Sequence, residues 1–251
     1  MTRPIGIFDS GLGGLSILGT MLEKIDHDFI YVADQAFAPY GTKEEHRIKD
    51  RVRAITDYFH ERGVRTVVIA CNTASVVSQN MSFSLPVISM IDNVVEEVLE
   101  TTGNKRVIVL STDFTARSHV YRDALARYGI DVTEVSSSPL VGLVESGKAG
   151  SEASFSRTRE HLEDHVDESA DTIVLGCTHF GWLKREIGSI YRNARLVLGD
   201  RMIAKRLKGI SADRDGSSRI EMLTTGPIEA IERAPSIIGS GLFTRIDRIR
   251  I

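Results

Sequence analysis

Two short segments, VVIACNT at residues 67–73 and IVLGCTH at residues 173–179, determine how the rest of the chain is interpreted. Each is an apolar, β-branched run typical of a fully buried parallel strand, followed at once by a cysteine and small polar residues. Cys71 and Cys177 are the only cysteines among the 251 residues. Open α/β sheets bind their ligands where strands end and loops begin. The two segments therefore predict a parallel-sheet protein in which two thiols face one small substrate.

The bulk composition indicates an ordinary globular protein, with 42% hydrophobic and 26% charged residues. Its net charge of −3 is spread along the chain, so we expect neither a nucleic-acid partner nor binding to an anionic membrane. No apolar run is long enough to span a bilayer, and the N-terminus leads directly into a predicted strand without a secretory signal. Two cysteines in such a chain are expected to stay reduced, which predicts a cytoplasmic protein.

The pattern of strands divides the chain into two similar halves. The run at residues 5–8 ends at Asp9, and the pattern restarts after Asp92 with a comparable run at residues 106–110. Each half has an early strand that ends in a carboxylate or hydroxyl group and a later strand that ends in cysteine. We predict an α/β fold with two pseudo-symmetric parallel-sheet domains and the active site at their interface. The expected domains are residues 1–93 with 208–251, and residues 94–207.

Several helices and loops follow from apolar spacing and turn residues. A helix is predicted over residues 43–62, where apolar residues recur every three or four positions, and an amphipathic helix over residues 151–169. The polar stretch at residues 211–218 predicts a loop, and a helix is expected from Pro227. The final alternation of arginine and isoleucine predicts an edge strand or a tail.

Two thiols on opposite sides of one carbon atom suit a stereochemical inversion. Abstracting a proton from the α-carbon of an amino acid needs a base about 3–3.5 Å away and donors that neutralise the growing negative charge. Inversion also needs a proton donor on the opposite face, so the two sulfur atoms would lie about 7 Å apart. Because each cysteine precedes an expected helix start, we expect the helix N-termini to lower the thiol pKa values. The alternative is that both cysteines are small buried hydrophobic residues.

Three further polar residues are candidates for this site, each with a structural alternative. Asp9 ends a buried strand, where it could tune the thiol of Cys71 or cap the following helix. His179 follows Cys177 by two residues, and Glu145 ends an apolar run; either could also be an ordinary loop or helix residue. The remaining histidine pair at positions 161 and 165 lacks the zincin order, so we predict no metal.

Two other functions compete for the same residues. A glycine loop at residues 11–14 and Asp34 after the second strand resemble a dinucleotide site, although Ser16 replaces its third glycine and Asp9 would repel a pyrophosphate. The loop is better used to hold a small carboxylate through its N–H groups and the Ser10 hydroxyl. A nucleophilic hydrolase would use a Cys-His pair but would leave the second cysteine unexplained.

Four motifs together resemble the signatures of the glutamate racemases, within the cofactor-independent aspartate/glutamate racemase superfamily. They are IGIFDSGLGGL at residues 5–15, ADQAFAPYG at 33–41, ACNTAS at 70–75 and GCTHF at 176–180. The resemblance runs along nearly the whole chain. It implies two pseudo-symmetric α/β domains, often assembled as a dimer, and a mechanism in which each cysteine acts on one enantiomer. The chain departs from the family pattern at Phe180-Gly181, where Tyr-Pro is usual.

Site residues are also implied by this resemblance. Asp9 would assist Cys71, His179 and Glu145 would assist Cys177, and Asp34 would act near the site. The implied substrate-binding residues are Ser10, Pro39, Tyr40, Gly41, Asn72, Thr73, Thr112, Thr115 and Thr178.

The resulting hypothesis is an enzyme that interconverts L- and D-glutamate without a cofactor and supplies D-glutamate for peptidoglycan. Its partner is the amino-acid substrate, with a possible homodimer. Aspartate is the alternative substrate within the superfamily, and a related decarboxylase would need only one of the two cysteines. The hypothesis from another class is a protein that binds a nucleotide or a carboxylate without turnover.

Overall fold

The computed structural model of the protein describes residues 3–209, 218–232, 234 and 242–251. Within these ranges the strands are β1 Ile5–Asp9, β2 Phe29–Ala33, β3 Val67–Ile69, β4 Val87–Ser89, β5 Arg106–Ser111, β6 Asp131–Ser136, β7 Thr172–Gly176, β8 Arg195–Val197, β9 Ile220–Thr224 and β10 Phe243–Arg248. The α-helices are α1 Leu15–Lys24, α2 Glu45–Glu61, α3 Asn72–Ser78, α4 Met90–Thr101, α5 Asp113–Ser118, α6 Val120–Ala126, α7 Val141–Glu145, α8 Glu152–Leu162, α9 Lys184–Ile190 and α10 Asp200–Lys208.

The strands form two separate parallel sheets. The first has the order β10-β9-β2-β1-β3-β4, and the second has the order β6-β5-β7-β8. The segment β2-β1-β3-β4 of the first sheet therefore has the same order as the whole second sheet, and Cys71 and Cys177 follow equivalent strands. This topology confirms the predicted α/β class with two similar halves. We call the half built on the first sheet the first lobe and the half built on the second sheet the second lobe.

The domain boundaries expected near residues 93 and 207 remain a prediction, which the membership of the two sheets supports. Strands β1 to β4, β9 and β10 lie outside residues 94–207, and β5 to β8 lie inside them. None of the helices in the described ranges is both long and apolar enough to cross a membrane.

Burial explains why these segments form strands and helices. All residues of β1, β2 and β7 are buried, as parallel strands covered by helices on both faces must be. Helix α2 buries the apolar stripe that its spacing predicts, through Ile48, Val52, Ile55 and Phe59. It lies close against β1 at Gly6, where a Cβ atom would be 2.8 Å from the Phe59 ring. Glycine at this position therefore sets the distance between helix and sheet.

Some sequence expectations differ from the structure. The helix expected over residues 151–169 ends at Leu162, because a short 3₁₀ turn follows at Glu163–His165. In agreement with the sequence, the C-terminal alternation of arginine and isoleucine forms the edge strand β10, which pairs in parallel with β9. Most of the loop expected at residues 211–218, and the continuation of the helix expected from Pro227, lie outside the described residues. The part that is described after Pro227 is a 3₁₀ turn at Ile228–Ala230.

Candidate active site

The carboxyl ends of strands from both sheets meet at a cavity of about 600 Å³. Cys71 and Cys177 both line it, each only 6% exposed, so the two thiols share one cavity. Most of the other predicted site residues also line this cavity, namely Ser10, Pro39, Tyr40, Gly41, Asn72, Thr73, Thr112, Glu145, Thr178 and His179. The arrangement brings residues from the two lobes to a single cavity, as the paired cysteine motifs predict.

Three predicted residues, Asp9, Asp34 and Thr115, are buried outside the cavity lining. Thr115 contacts the lining through Thr112, whose hydroxyl lies 3.1 Å from the Thr115 hydroxyl. The Thr112 hydroxyl also lies 3.1 Å from the hydroxyl of Thr73 in the first lobe. A chain of hydroxyl groups therefore crosses from one lobe to the other along the cavity wall.

Cys71 lies between β3 and α3 in an environment that keeps its thiol protonated. Its sulfur lies 3.7 Å from the Ser10 hydroxyl oxygen. Burial and, to a smaller extent, the negative charge of Asp9 raise the pKa of the Cys71 thiol to about 12, against the hydrogen bonds that it makes with the Ala74 N–H and the Ser10 hydroxyl. The expectation that the helix start lowers this pKa is therefore wrong, because desolvation outweighs the N–H groups of α3.

Cys177 has a different set of neighbours, which form a chain of three side chains. Its sulfur lies 3.6 Å from Nδ1 of His179, and Nε2 of His179 lies 2.6 Å from Oε1 of Glu145. Burial opposes a charge on His179, but the hydrogen bonds to Cys177 and Glu145 outweigh it and raise the His179 pKa well above its usual value. His179 is therefore an imidazolium, which stabilises negative charge on the adjacent sulfur.

The glycine loop of the first lobe fits directly against this chain. A Cβ atom on Gly13 would lie 2.5 Å from His179 Nδ1, and one on Gly11 would lie 2.6 Å from Glu145 Oε1. The N–H of Gly11 donates to Asp9, and the N–H of Leu12 donates to Glu145. These two N–H groups were expected to hold a ligand carboxylate; instead they hold carboxylates of the protein itself.

Asp9 joins the two lobes behind this loop. One of its oxygens accepts the Gly11 N–H, and the other accepts the hydroxyl of Thr178 from the second lobe at 2.9 Å. Burial raises the pKa of Asp9, while the His179 charge and these two hydrogen bonds oppose the rise. Asp9 does not cap α1, whose N-cap is Gly14. Its expected assistance to Cys71 remains a prediction and would act through charge.

Asp34 lies at the centre of a buried polar cluster in the first lobe. It pairs with both Nε and Nη2 of Arg51 and also accepts the hydroxyls of Tyr40 and Thr225, each at 2.6 Å. Donors of the protein occupy both oxygens of Asp34, so Asp34 does not offer the free carboxylate that a dinucleotide site requires. Asp34 therefore reaches the cavity only through Tyr40, whose ring lies in the cavity wall.

Two residues of this region carry no signal in the sequence. Arg51 is one of three arginines on α2. Its pairing with Asp34 depends on the packing of this helix on the sheet. Tyr121 follows no recognisable motif, but its hydroxyl donates to Asn72 in the opposite lobe. Among the described residues, no group of three or more His, Cys, Asp or Glu side chains is arranged to hold a metal ion.

Comparison with known proteins places this site in a family. Residues 17–197 match the family described as Asp/Glu/Hydantoin racemase. The chain is also 33% identical over 238 residues to the glutamate racemase of Aquifex aeolicus, and the match covers 93% of each chain. The chain belongs to the Asp/Glu/Hydantoin racemase family.

Solved structures show the same architecture. A glutamate racemase from Bacillus anthracis has a TM-score of 0.90 and covers 99% of this chain and 98% of its own, although its 23% identity supports the fold alone. The Escherichia coli glutamate racemase, solved with L-glutamate and the activator UDP-MurNAc-ala, has a TM-score of 0.78 at 28% identity, with 98% of each chain covered. The two-lobed arrangement of this family is therefore that of the present chain.

The buried thiol of Cys71 makes stability depend on pH in a defined direction. Its pKa rises from an ordinary 9.0 to about 12 on folding, so between these values the folded state holds more protons than the unfolded state. The contribution of the Cys71 thiol to the free energy of unfolding is complete below pH 9 and is lost as the pH rises toward 12. We expect wild type to lose about 1 kcal/mol more than Cys71→Ser between pH 7 and pH 10 in urea unfolding. Parallel pH curves for the two proteins would contradict this.

Removing Arg51 should leave the Asp34 carboxylate buried without its cation. We expect Arg51→Ala to lower the free energy of unfolding by about 3 kcal/mol, because breaking a buried pair leaves an uncompensated charge. Arg51 lies over the Phe37 ring at 5.9 Å, and Arg47→Ala is the matched control because Arg47 lies over the same ring at 5.3 Å. Its loss should stay within about 0.5 kcal/mol. Equal losses in the two variants would show that the Phe37 stacking, and not Asp34, is what Arg51 stabilises.

Proposed function

We propose that the protein interconverts L- and D-glutamate by moving the α-proton between two thiols, without a cofactor. The observation that carries this proposal is that Cys71 and Cys177, at equivalent positions in two lobes, line one cavity, with the Ser10 hydroxyl beside one sulfur and His179 beside the other. Membership of the racemase family supports the reaction class, and the names of the similar proteins support glutamate as the substrate. Aspartate is the alternative substrate, and it is tested by competition in the same assay.

The surroundings of the two sulfur atoms fit a two-base reaction. We assign the role of base to Cys177, beside the His179 imidazolium, and the role of acid to Cys71, which keeps its proton. The Cys177 thiolate removes the α-hydrogen of the enantiomer that presents it, and the electron pair of the C–H bond moves toward the substrate carboxylate. Cys71 then gives its proton to the opposite face of the carbon. Atoms and charge balance, because the two sulfur atoms have exchanged protonation states.

The second direction starts from the exchanged state, in which Cys71 is the thiolate. The burial of Cys71 and the nearby negative charge of Asp9 make that state costly. Two enantiomers have equal free energies, so kcat/KM must be equal in the two directions. The separate kcat and KM values are free to differ, and the unlike surroundings of the two thiols favour such a difference.

Binding of the substrate relies on neutral donors. Among the described residues that line the cavity there is no lysine or arginine. The groups left to bind carboxylates are the amide of Asn72 and hydroxyls such as those of Ser10, Thr73 and Thr112. We infer that these donors orient the amino acid between the sulfur atoms, and that the negatively charged Asp9 and Glu145 act on the thiols and His179.

In the cell, we propose that the protein supplies D-glutamate for peptidoglycan and works in the cytoplasm. The two-thiol reaction requires both cysteines to stay reduced, which a reducing compartment ensures. We also propose a homodimer, which the family resemblance implies. Sedimentation equilibrium should give twice the mass of the chain at micromolar concentration, and the mass of a single chain would overturn the dimer.

Deuterium labelling tests the two-base reaction directly. In heavy water, L-glutamate should yield D-glutamate that carries deuterium at the α-carbon, while recovered L-glutamate stays unlabelled at early times. The reason is that one sulfur removes the hydrogen and the other, exchanged with solvent, returns a deuteron. Mass spectrometry after chiral separation measures both fractions. Equal early labelling of the two enantiomers would mean that a single base serves both faces.

Single-cysteine variants complete this test. Cys71→Ser and Cys177→Ser should each lose racemisation by at least about 10³-fold, since a serine hydroxyl is a far weaker acid than a thiol. Cys177→Ser leaves Cys71 in place, and Cys71→Ser leaves Cys177, so each variant should exchange the α-hydrogen of one enantiomer only. Full turnover in either variant would end the proposal. Calorimetric binding of glutamate without any turnover by wild type would favour the binding protein instead.

A further inference from the structure

An unpaired donor in the cavity wall is the starting point. Asn72 is 2% exposed and lines the cavity directly after Cys71. In the described part of the chain, its amide nitrogen Nδ2 is buried without a hydrogen-bond partner. Leaving such a group unpaired costs about 1–3 kcal/mol, so its persistence suggests a ligand as the missing acceptor. The carboxylate of an amino acid has the acceptor oxygens that this nitrogen lacks.

The other end of the same amide is held from the opposite lobe. Tyr121 lies in α6, is 0% exposed, and donates its hydroxyl hydrogen to Oδ1 of Asn72. Tyr121 is absent from the cavity lining, so it lies behind Asn72 and does not reach the substrate. Its ring packs against β7, where a Cβ atom on Gly176 would be 3.3 Å from Tyr121 Cε2. One side chain therefore contacts both cysteine motifs.

The direction of this hydrogen bond follows from the chemistry of the two groups. Oδ1 of Asn72 is the acceptor that the Tyr121 hydroxyl finds within the described structure. With the amide rotated by half a turn, Nδ2 would face Tyr121, and the buried tyrosine proton would lose its acceptor. The bond therefore fixes Oδ1 toward Tyr121 and turns Nδ2 away from it, on a side chain that lines the cavity.

We propose that Tyr121 is a positioning residue for the substrate carboxylate: its hydroxyl holds the Asn72 amide with its N–H donor facing the cavity. The proposal rests on the proposed function, because it names the group that the donor binds. The proposal also gives Tyr121 a role in the contact between the two lobes. Because Tyr121 belongs to the second lobe and Asn72 to the first, binding of the substrate depends on the correct contact between the lobes.

The variant Tyr121→Phe tests this assignment. It keeps the ring against Gly176 and removes only the hydroxyl. We expect KM for both enantiomers of glutamate to rise about 5- to 10-fold while kcat changes less than about 3-fold, the size of one lost hydrogen bond. Tyr191→Phe is the matched control, since the Tyr191 hydroxyl also donates to a protein acceptor, the His165 carbonyl, away from the cavity. Its KM should equal that of wild type.

A double-mutant cycle shows whether Tyr121 acts through Asn72. Calorimetry with racemic glutamate suits this measurement, because turnover cannot change the composition of a racemic mixture. Asn72→Ala should weaken binding, and adding Tyr121→Phe to it should weaken binding no further. An unchanged KM in Tyr121→Phe, or an equal loss in the Asn72→Ala background, would overturn the proposal. Both of these outcomes leave the racemase function intact, whereas a wild type that racemises no glutamate refutes the proposed function itself.

Asn72→Asp tests the orientation of the amide. It keeps an oxygen that accepts the Tyr121 hydroxyl and replaces the cavity-facing N–H₂ with a second carboxylate oxygen. We expect glutamate binding to fall at least about 100-fold, because two carboxylates would then face each other. Retained binding would mean that the cavity-facing atom accepts a hydrogen bond from the substrate ammonium group. That result would overturn the assigned orientation.

Discussion

The hydrogen bond from Thr178 to Asp9 joins the two lobes at the point where their sheets end. A fully buried carboxylate is costly unless donors satisfy it, and Asp9 obtains one donor from its own loop and one from the opposite lobe. The lobes are therefore held in the arrangement that provides both donors. In that arrangement the glycine loop lies against His179, where even a Cβ atom would collide. The meeting of the two cysteines depends on this fit.

A symmetric scaffold here carries an asymmetric site. The two cysteines follow equivalent strands, yet one sulfur has a hydroxyl neighbour and the other an imidazolium. Burial raises the pKa of the Cys71 thiol, and two protonated thiols would provide no base. Glu145 and His179 break this equivalence by placing a positive charge next to Cys177 only. This asymmetry supports the proposed roles of one acid and one base, the pair that inversion requires.

The sequence was sufficient to predict the features that depend on residues close together in the chain. Buried runs that end in cysteine predicted the strands, their parallel arrangement and the shared cavity, because hydrophobic periodicity and the ends of strands can be read from neighbouring residues. It was insufficient where partners are distant: Asp34 pairs with Arg51, 17 positions away, and Tyr121 with Asn72, 49 positions away. The direction of the Cys71 pKa shift was also missed, because desolvation depends on packing that no motif records.

Neutral donors suit a reaction in which the charge of the bound carboxylate grows. A guanidinium clamp would bind the ground-state carboxylate strongly and so spend much of its energy before the transition state. Amide and hydroxyl donors bind the resting anion less tightly, and their hydrogen bonds strengthen as the α-carbon loses its proton and charge moves onto the carboxylate. Such donors work only when they are aimed, since a freely rotating amide spends its time in unproductive orientations. On the proposed function, the layer behind the cavity wall, including Tyr121 and Asp34, therefore determines how well the wall binds the substrate carboxylate.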